Sequence, residues 1–101
     1  MNLHPREIDK LLIDQVADLA RRRRDRGTEL NPSEAQALIP DAILEAARDG
    51  RSVAECIELG EQVVSERGSM PGVRIRLALL QVEATFVDGS KLVCCHDPVA
   101  A

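Results

Sequence analysis

The chain has 101 residues, enough for one domain that buries only about 60–65% of its extended surface and so has a small core. Hydrophobic residues make up 45% of it, yet Phe86 is the only aromatic, so Leu, Ile, Val and Ala must do the packing. A net charge of −4 argues against a nucleic-acid binder, which normally presents a basic footprint to phosphates.

From Pro5 to Arg26, Ile8, Leu11, Leu12, Val16, Leu19 and Ala20 recur at three- and four-residue steps, the spacing of a helix stripe. Pro5 suits the first turn, Glu7 and Asp9 sit near the positive end of the helix dipole, and Gly27 can supply the left-handed residue that stops it. The run Arg21-Arg22-Arg23-Arg24-Asp25-Arg26 crowds the negative end. Its simplest role is to stabilise that last turn as a solvated face. A docking patch for an acidic partner is the sharper possibility, and it singles out Arg22, Arg23 and Arg26. Nucleic acid is disfavoured because no aromatic residue lies nearby to stack on bases.

Asn31-Pro32-Ser33-Glu34 is a second start signal: Asn31 caps, Pro32 takes the first position, and Glu34 reaches back to the capping amide. The helix should run from residue 32 to about 49 and stop at Gly50, with Pro40 removing one hydrogen bond and imposing a kink or a break near Ile39. Ser52-Val53-Ala54-Glu55 is a capping box for a third helix over about 53–67, ended by Gly68, with Cys56 on its apolar stripe as a small buried hydrophobe.

Val73, Ile75, Leu77 and Leu79 alternate with Arg74, Arg76 and Ala78, which suggests an extended segment within the linker 68–80, with a short helix over residues 73–79 as the open alternative. The apolar phase then moves to Leu80, Val82, Ala84 and Phe86, so a bulge or bend is expected near Leu79-Leu80. Residues 81–96 read as an antiparallel hairpin with Asp88-Gly89 as its two-residue turn, which sets Val87 against Ser90, Thr85 against Leu92, Ala84 against Val93 and Val82 against Cys95. One face then carries Val82, Ala84, Phe86, Val93 and Cys95. The other carries Gln81, Glu83, Thr85, Val87, Ser90, Leu92, Cys94 and His96, half of it apolar, which suits burial against another chain. From that face Thr85, Leu92, Cys94 and His96 join the candidate interface residues. The whole is a single α+β domain over 1–101: a three-helix unit, its second helix kinked at Pro40, plus a C-terminal antiparallel hairpin.

No constellation for chemistry assembles. There is no phosphate-binding glycine loop, no nucleophile motif and no metal-ligand spacing. Cys94-Cys95-His96 invites a metal, but neighbours on a strand point to opposite faces and leave only Cys94 and His96 together. His4 can cap or flank the first helix, although a plain surface position at a chain end is the simpler role. Three cysteines, two of them adjacent, make no disulfide framework, so reduced thiols are expected. With no apolar run of about 18 residues and no secretion-type start, a cytoplasmic location is expected.

Three blocks, "MNLHPREIDKLLIDQVADLARRRRDRG", "LNPSEAQALIPDAILEAARDGRSVAE" and "QVEATFVDGSKLV", stand in order over nearly the whole chain. In them the sequence resembles the gamma subunit of bacterial urease, the smallest chain of that nickel hydrolase. The resemblance implies a non-catalytic structural subunit that assembles with urease alpha and beta subunits as an (alpha-beta-gamma) trimer of trimers. It also implies that the nickel, the carbamylated lysine and the flap histidine belong to the alpha subunit, so this chain itself carries no cofactor. Residues 69–80 depart from the family's usual segment, and a diverged module of the same fold with a different partner is the alternative function.

Overall fold

The structure, a computed structural model, describes residues Met1–Ala101. Four helices precede a two-stranded antiparallel sheet: α1 (Pro5–Asp25), α2 (Pro32–Arg48), α3 (Val53–Gly60), α4 (Val73–Arg76), β1 (Leu79–Phe86) and β2 (Gly89–His96). The α+β class, the helical unit and the C-terminal hairpin are those expected, with one short helix more.

Local chemistry explains the helix ends. His4 does cap α1: its Nδ1 accepts from the Arg6 amide at 3.2 Å, while Glu7 Oε1 accepts from the His4 amide at 3.0 Å. Reciprocal pairs of the same kind open α2 (Asn31 with Glu34) and α3 (Ser52 with Glu55). At its other end α1 closes on Gly27, φ 83°, whose left-handed conformation lets the Thr28 amide reach back to the Arg23 carbonyl at 3.0 Å.

The central element is α2, which contacts α1, α3, α4 and β1 and buries most of its length, including Leu38, Ile39 and Ile43. It runs unbroken through Pro40, so a break with restart near Ile39 does not occur. Pro40 is itself buried, and its ring contributes packing where its nitrogen contributes no bond.

Three expectations are corrected. First, α3 stops at Gly60 instead of reaching residue 67. A Cβ at Gly60 would stand 3.1 Å from Ile43 Cδ1, so the bare backbone of α3 rests there on the Ile43 side chain of α2. The chain then leaves the helical path, and Val64 and Glu66 are held by the C-terminal segment: Ala100 N donates to Val64 O at 2.9 Å, and Glu66 N to Ala100 O at 2.8 Å. Second, Val73–Arg76 is a helical turn and not an extended segment. Val73 and Leu77, one turn apart, are buried while Ile75 is 82% exposed, the signature of period 3.6 and not of period two. The change of phase is therefore a helix-to-strand junction at Leu77–Ala78, just ahead of β1.

Third, the hairpin register is two residues away from the expected one. Phe86 pairs with Gly89, so Val87 and Asp88 form the turn, and the ladder runs through Thr85↔Ser90, Val82↔Val93 and Leu80↔Cys95 to Leu79↔His96. A shift of two keeps every side chain on its face, which is why alternation alone cannot distinguish the two registers. The observed one gives each strand eight residues and lets Lys91 Nζ bond Asp88 Oδ2 at 2.9 Å across the turn.

The inner face of the hairpin, Leu80, Val82, Ala84, Phe86, Val93 and Cys95, is buried against the helices, as expected. Past β2, Asp97 adopts a left-handed conformation (φ 49°) and turns the chain so that Pro98 and Val99 enter the core.

Candidate subunit interface

The outer face of the hairpin is open. Its cross-strand rows are Leu79 with His96, Gln81 with Cys94, Glu83 with Leu92, and Thr85 with Ser90. Leu79 and Leu92 are 52% and 59% exposed, Thr85 and His96 are exposed, and Cys94 is half-buried. No helix of the chain lies over this surface. Its polar members are partly tied down: Gln81 Nε2 approaches Cys94 Sγ at 3.7 Å, Thr85 and Ser90 hydroxyls lie 3.4 Å apart, and Glu83 accepts from Arg6 of α1 at 3.2 Å. What remains for contact is a ribbon of aliphatic side chains bordered by hydroxyls and an imidazole.

The arginine run divides into two sets. Arg21, Arg23 and Arg24 each reach an acceptor on another part of the chain. Arg21 pairs with the buried Asp41, Arg23 Nη1 bonds Glu34 Oε2 at 2.7 Å, and Arg24 Nη1 donates to the Val63 carbonyl at 3.2 Å. These clamp α1 to α2 and to the loop after α3, a role not expected for Arg23. Arg22 and Arg26 stay exposed, Arg22 with only an intrahelical bond to Asp18 at 2.8 Å. Of the seven candidate residues, the structure gathers Thr85, Leu92, Cys94 and His96 on one surface, leaves Arg22 and Arg26 elsewhere on the exterior, and engages Arg23 internally.

Electrostatics at the α1–α2 seam differ by position. Burial pushes the Glu34 carboxyl up, but the Asn31 amide bond and Arg23 outweigh it and leave the pKa below the ordinary 4.5. At Asp41 burial prevails over Arg21, aided by the nearby Asp14 carboxylate, and the pKa rises above 3.8. Asp14, Asp41 and Glu45 bring carboxylate oxygens within 4.8 Å of one another, the one grouping with a cation's taste for oxygen. The Arg21 guanidinium already occupies that role at Asp41. Burial raises the Cys56 and Cys95 thiols above 9.0, so both are poor nucleophiles. An open cleft of about 500 Å³ between α1, α2 and β1 is lined by aliphatics such as Leu12, Leu44 and Val82, with Arg6 and Glu83 satisfying each other on its rim. Neither the cleft nor the seam joins a nucleophile, a base and an oxyanion donor in one place.

A profile of the family described as "Urease, gamma subunit" matches residues 1–99. The chain belongs to the urease gamma-subunit family. Two relatives of matching length, each described as "Urease subunit gamma", show how close it lies. The one from Corynebacterium kroppenstedtii is 54% identical over 99 residues, covering 98% of both chains. That from Ruegeria sp. is also 54% identical over 99 residues, covering 98% of this chain and 99% of the relative. As a urease gamma chain it is a component of a hydrolase complex, with other urease subunits as its partners. No helix is long and apolar enough to cross a membrane.

Two exposed groups lie outside the candidate residues legible in the sequence. Leu79 belongs to the hairpin's outer face and not to the linker, because the helix-to-strand junction falls just ahead of it. On the first helix of this urease gamma chain, Ile8, Leu11, Leu12 and Val16, expected as part of a helix stripe, are exposed, and only Ala17 and Ala20 of α1 are fully buried. The signal was present: together with Ile13 and Leu19 these residues span an arc too wide for a single packing face.

Proposed function

We propose that this chain is the structural, non-catalytic gamma subunit of a cytoplasmic (alpha-beta-gamma)3-type urease, whose alpha subunit holds the nickel and hydrolyses urea to ammonia and carbamate. The observation that carries this is the half-apolar outer face of β1 and β2, open in the isolated chain and bordered by polar groups. An exposed ribbon of this kind is an interaction surface in a monomer of this size. Thr85, Leu92, Cys94 and His96 form the contact, with Arg22 and Arg26 directed at carboxylates on other chains and Arg23 setting the position of α1 from within.

Co-expression with alpha and beta chains followed by sizing tests the assignment. A stoichiometric large assembly with nickel-dependent urea hydrolysis supports it, and a gamma chain that elutes alone overturns it in favour of a diverged module with another partner. Leu92→Asp tests the surface. It is expected to leave helical circular dichroism intact and to abolish assembly, whereas unfolding of the isolated variant would assign that face to the chain's own core.

A further inference from the structure

The two halves of α1 are held very differently. Its carboxy-terminal half buries Ala17 and Ala20 completely, and Arg21, Arg23 and Arg24 bond it to Asp41, Glu34 and the Val63 carbonyl. Of residues 5–16 only Lys10 and Ile13 are even half-buried. This amino-terminal half runs between two grooves, the cleft of about 500 Å³ toward β1 and a second of about 520 Å³ beside Asp14, Asp41 and Glu45. Lys10 and Leu44 line both, so the ridge by which it rests on α2 is narrow. Its link to β1, Arg6 with Glu83, is an exposed ion pair and holds little.

Beside that ridge α1 sets Asp14 against Asp41 and Glu45 of α2, with carboxylate oxygens of all three within 4.8 Å of one another. Asp41 is buried, whereas Asp14 and Glu45 are exposed. Two carboxyls so close, one of them out of water, do not both ionise without cost, and a proton on either turns their repulsion into a hydrogen bond. Burial and Asp14 favour the protonated form of Asp41 and prevail over Arg21. Around the same groove stand Glu7, Lys10 and Arg48, one negative and two positive groups, and β1 brings to it only the uncharged Thr85.

We propose that the amino-terminal half of α1 is a proton-controlled latch: a proton shared between Asp14 and Asp41 seats it on α2, and loss of that proton sets like charges face to face and releases residues 5–16. Seating is fullest below 3.8 and weakens as pH rises through the raised folded value of Asp41. Once off α2, a helix of about twelve residues is marginal in water and melts, which exposes its amides. The carboxy-terminal half, anchored by its alanines and arginines, stays in place.

Hydrogen–deuterium exchange on the full-length purified chain between about pH 4 and pH 7, with each rate divided by its intrinsic value, tests the latch. Protection of amides 9–16 is expected to fall at least about threefold more than that of amides 17–25 across this range. An equal change in the two halves, or none, overturns the proposal. Asp14→Asn, which keeps a hydrogen-bonding group and removes the charge, should abolish the extra fall. If the fall persists in that variant, Asp14 does not share the proton and the latch is excluded. Asp18→Asn is the same loss of charge one turn on, at a residue bonded to Arg22, and should leave the extra fall in place. If it abolishes the fall as well, net charge is the cause and the shared proton is not. The His4 cap is common to all three chains, so any change there cancels from the comparison.

Discussion

Glu34 and Asp41 lie about two turns apart on α2, each held by an arginine of α1, yet they titrate in opposite senses. At Glu34 the Asn31 amide and Arg23 stabilise the charged form, so its contribution to stability is present above 4.5 and is lost as pH falls through the lowered folded value. At Asp41 burial and Asp14 favour the protonated form, so its contribution is present below 3.8 and is lost as pH rises through the raised folded value. Urea denaturation at pH 3.5–7 checks both. The deficit of Glu34→Gln relative to the unaltered chain should widen toward pH 7, and that of Asp41→Asn should narrow. Glu34→Ala, which removes a charged partner from both a cap and an ion pair, should cost about 1.5–3 kcal/mol at pH 7. At this scale the sequence was informative about caps, since cap and partner lie three residues apart. It was silent about clamps such as Arg21 with Asp41, because which side of α1 faces α2 is settled only by packing.

Among the elements, the helix starts and the Gly27 and Gly50 stops follow from residues a few positions apart, and these were legible. The early end of α3 was not, because the residues that hold the chain beyond Gly60, Ala100 bonded to Val64 and Glu66, lie far away in the sequence. Gly60→Val, which puts branched carbons into the contact with Ile43, should lower stability by about 2–3 kcal/mol in chemical denaturation even though valine has the higher isolated-helix propensity. The turn Val73–Arg76 stays open between strand and short helix in the sequence because four alternating aliphatics imitate a strand, and only the burial of Val73 and Leu77 with Ile75 left outside separates the two. The hairpin's faces were legible from alternation and its register was not, for the parity reason already given.

Taken as a whole molecule, the chain spends much of its aliphatic content on the outside. Ile8, Leu11, Leu12, Ile75, Leu79 and Leu92 are all exposed, while more than half of the buried core is alanine and valine. The half-apolar hairpin face was foreseeable from strand alternation; the bare face of α1 was foreseeable only from the width of its apolar arc, since a stripe at helical spacing by itself looks the same whether it meets its own core or another protein. A body so composed gains stability from whatever covers it. Titrating in urease partner chains to a hundred times their dissociation constant should add about 2.7 kcal/mol and raise the melting midpoint by more than ~10 °C, measured by scanning calorimetry.

The carboxy-terminal residues have a bearing on how such a chain can be handled. Val99 is sealed inside and Ala100 is stitched by two main-chain bonds to the strip that follows α3, so the last turn of the polypeptide acts as a clasp closing the shell. A fusion that replaces residues 98–101 would spring that clasp open, whereas one attached after the solvent-facing Ala101 leaves it fastened.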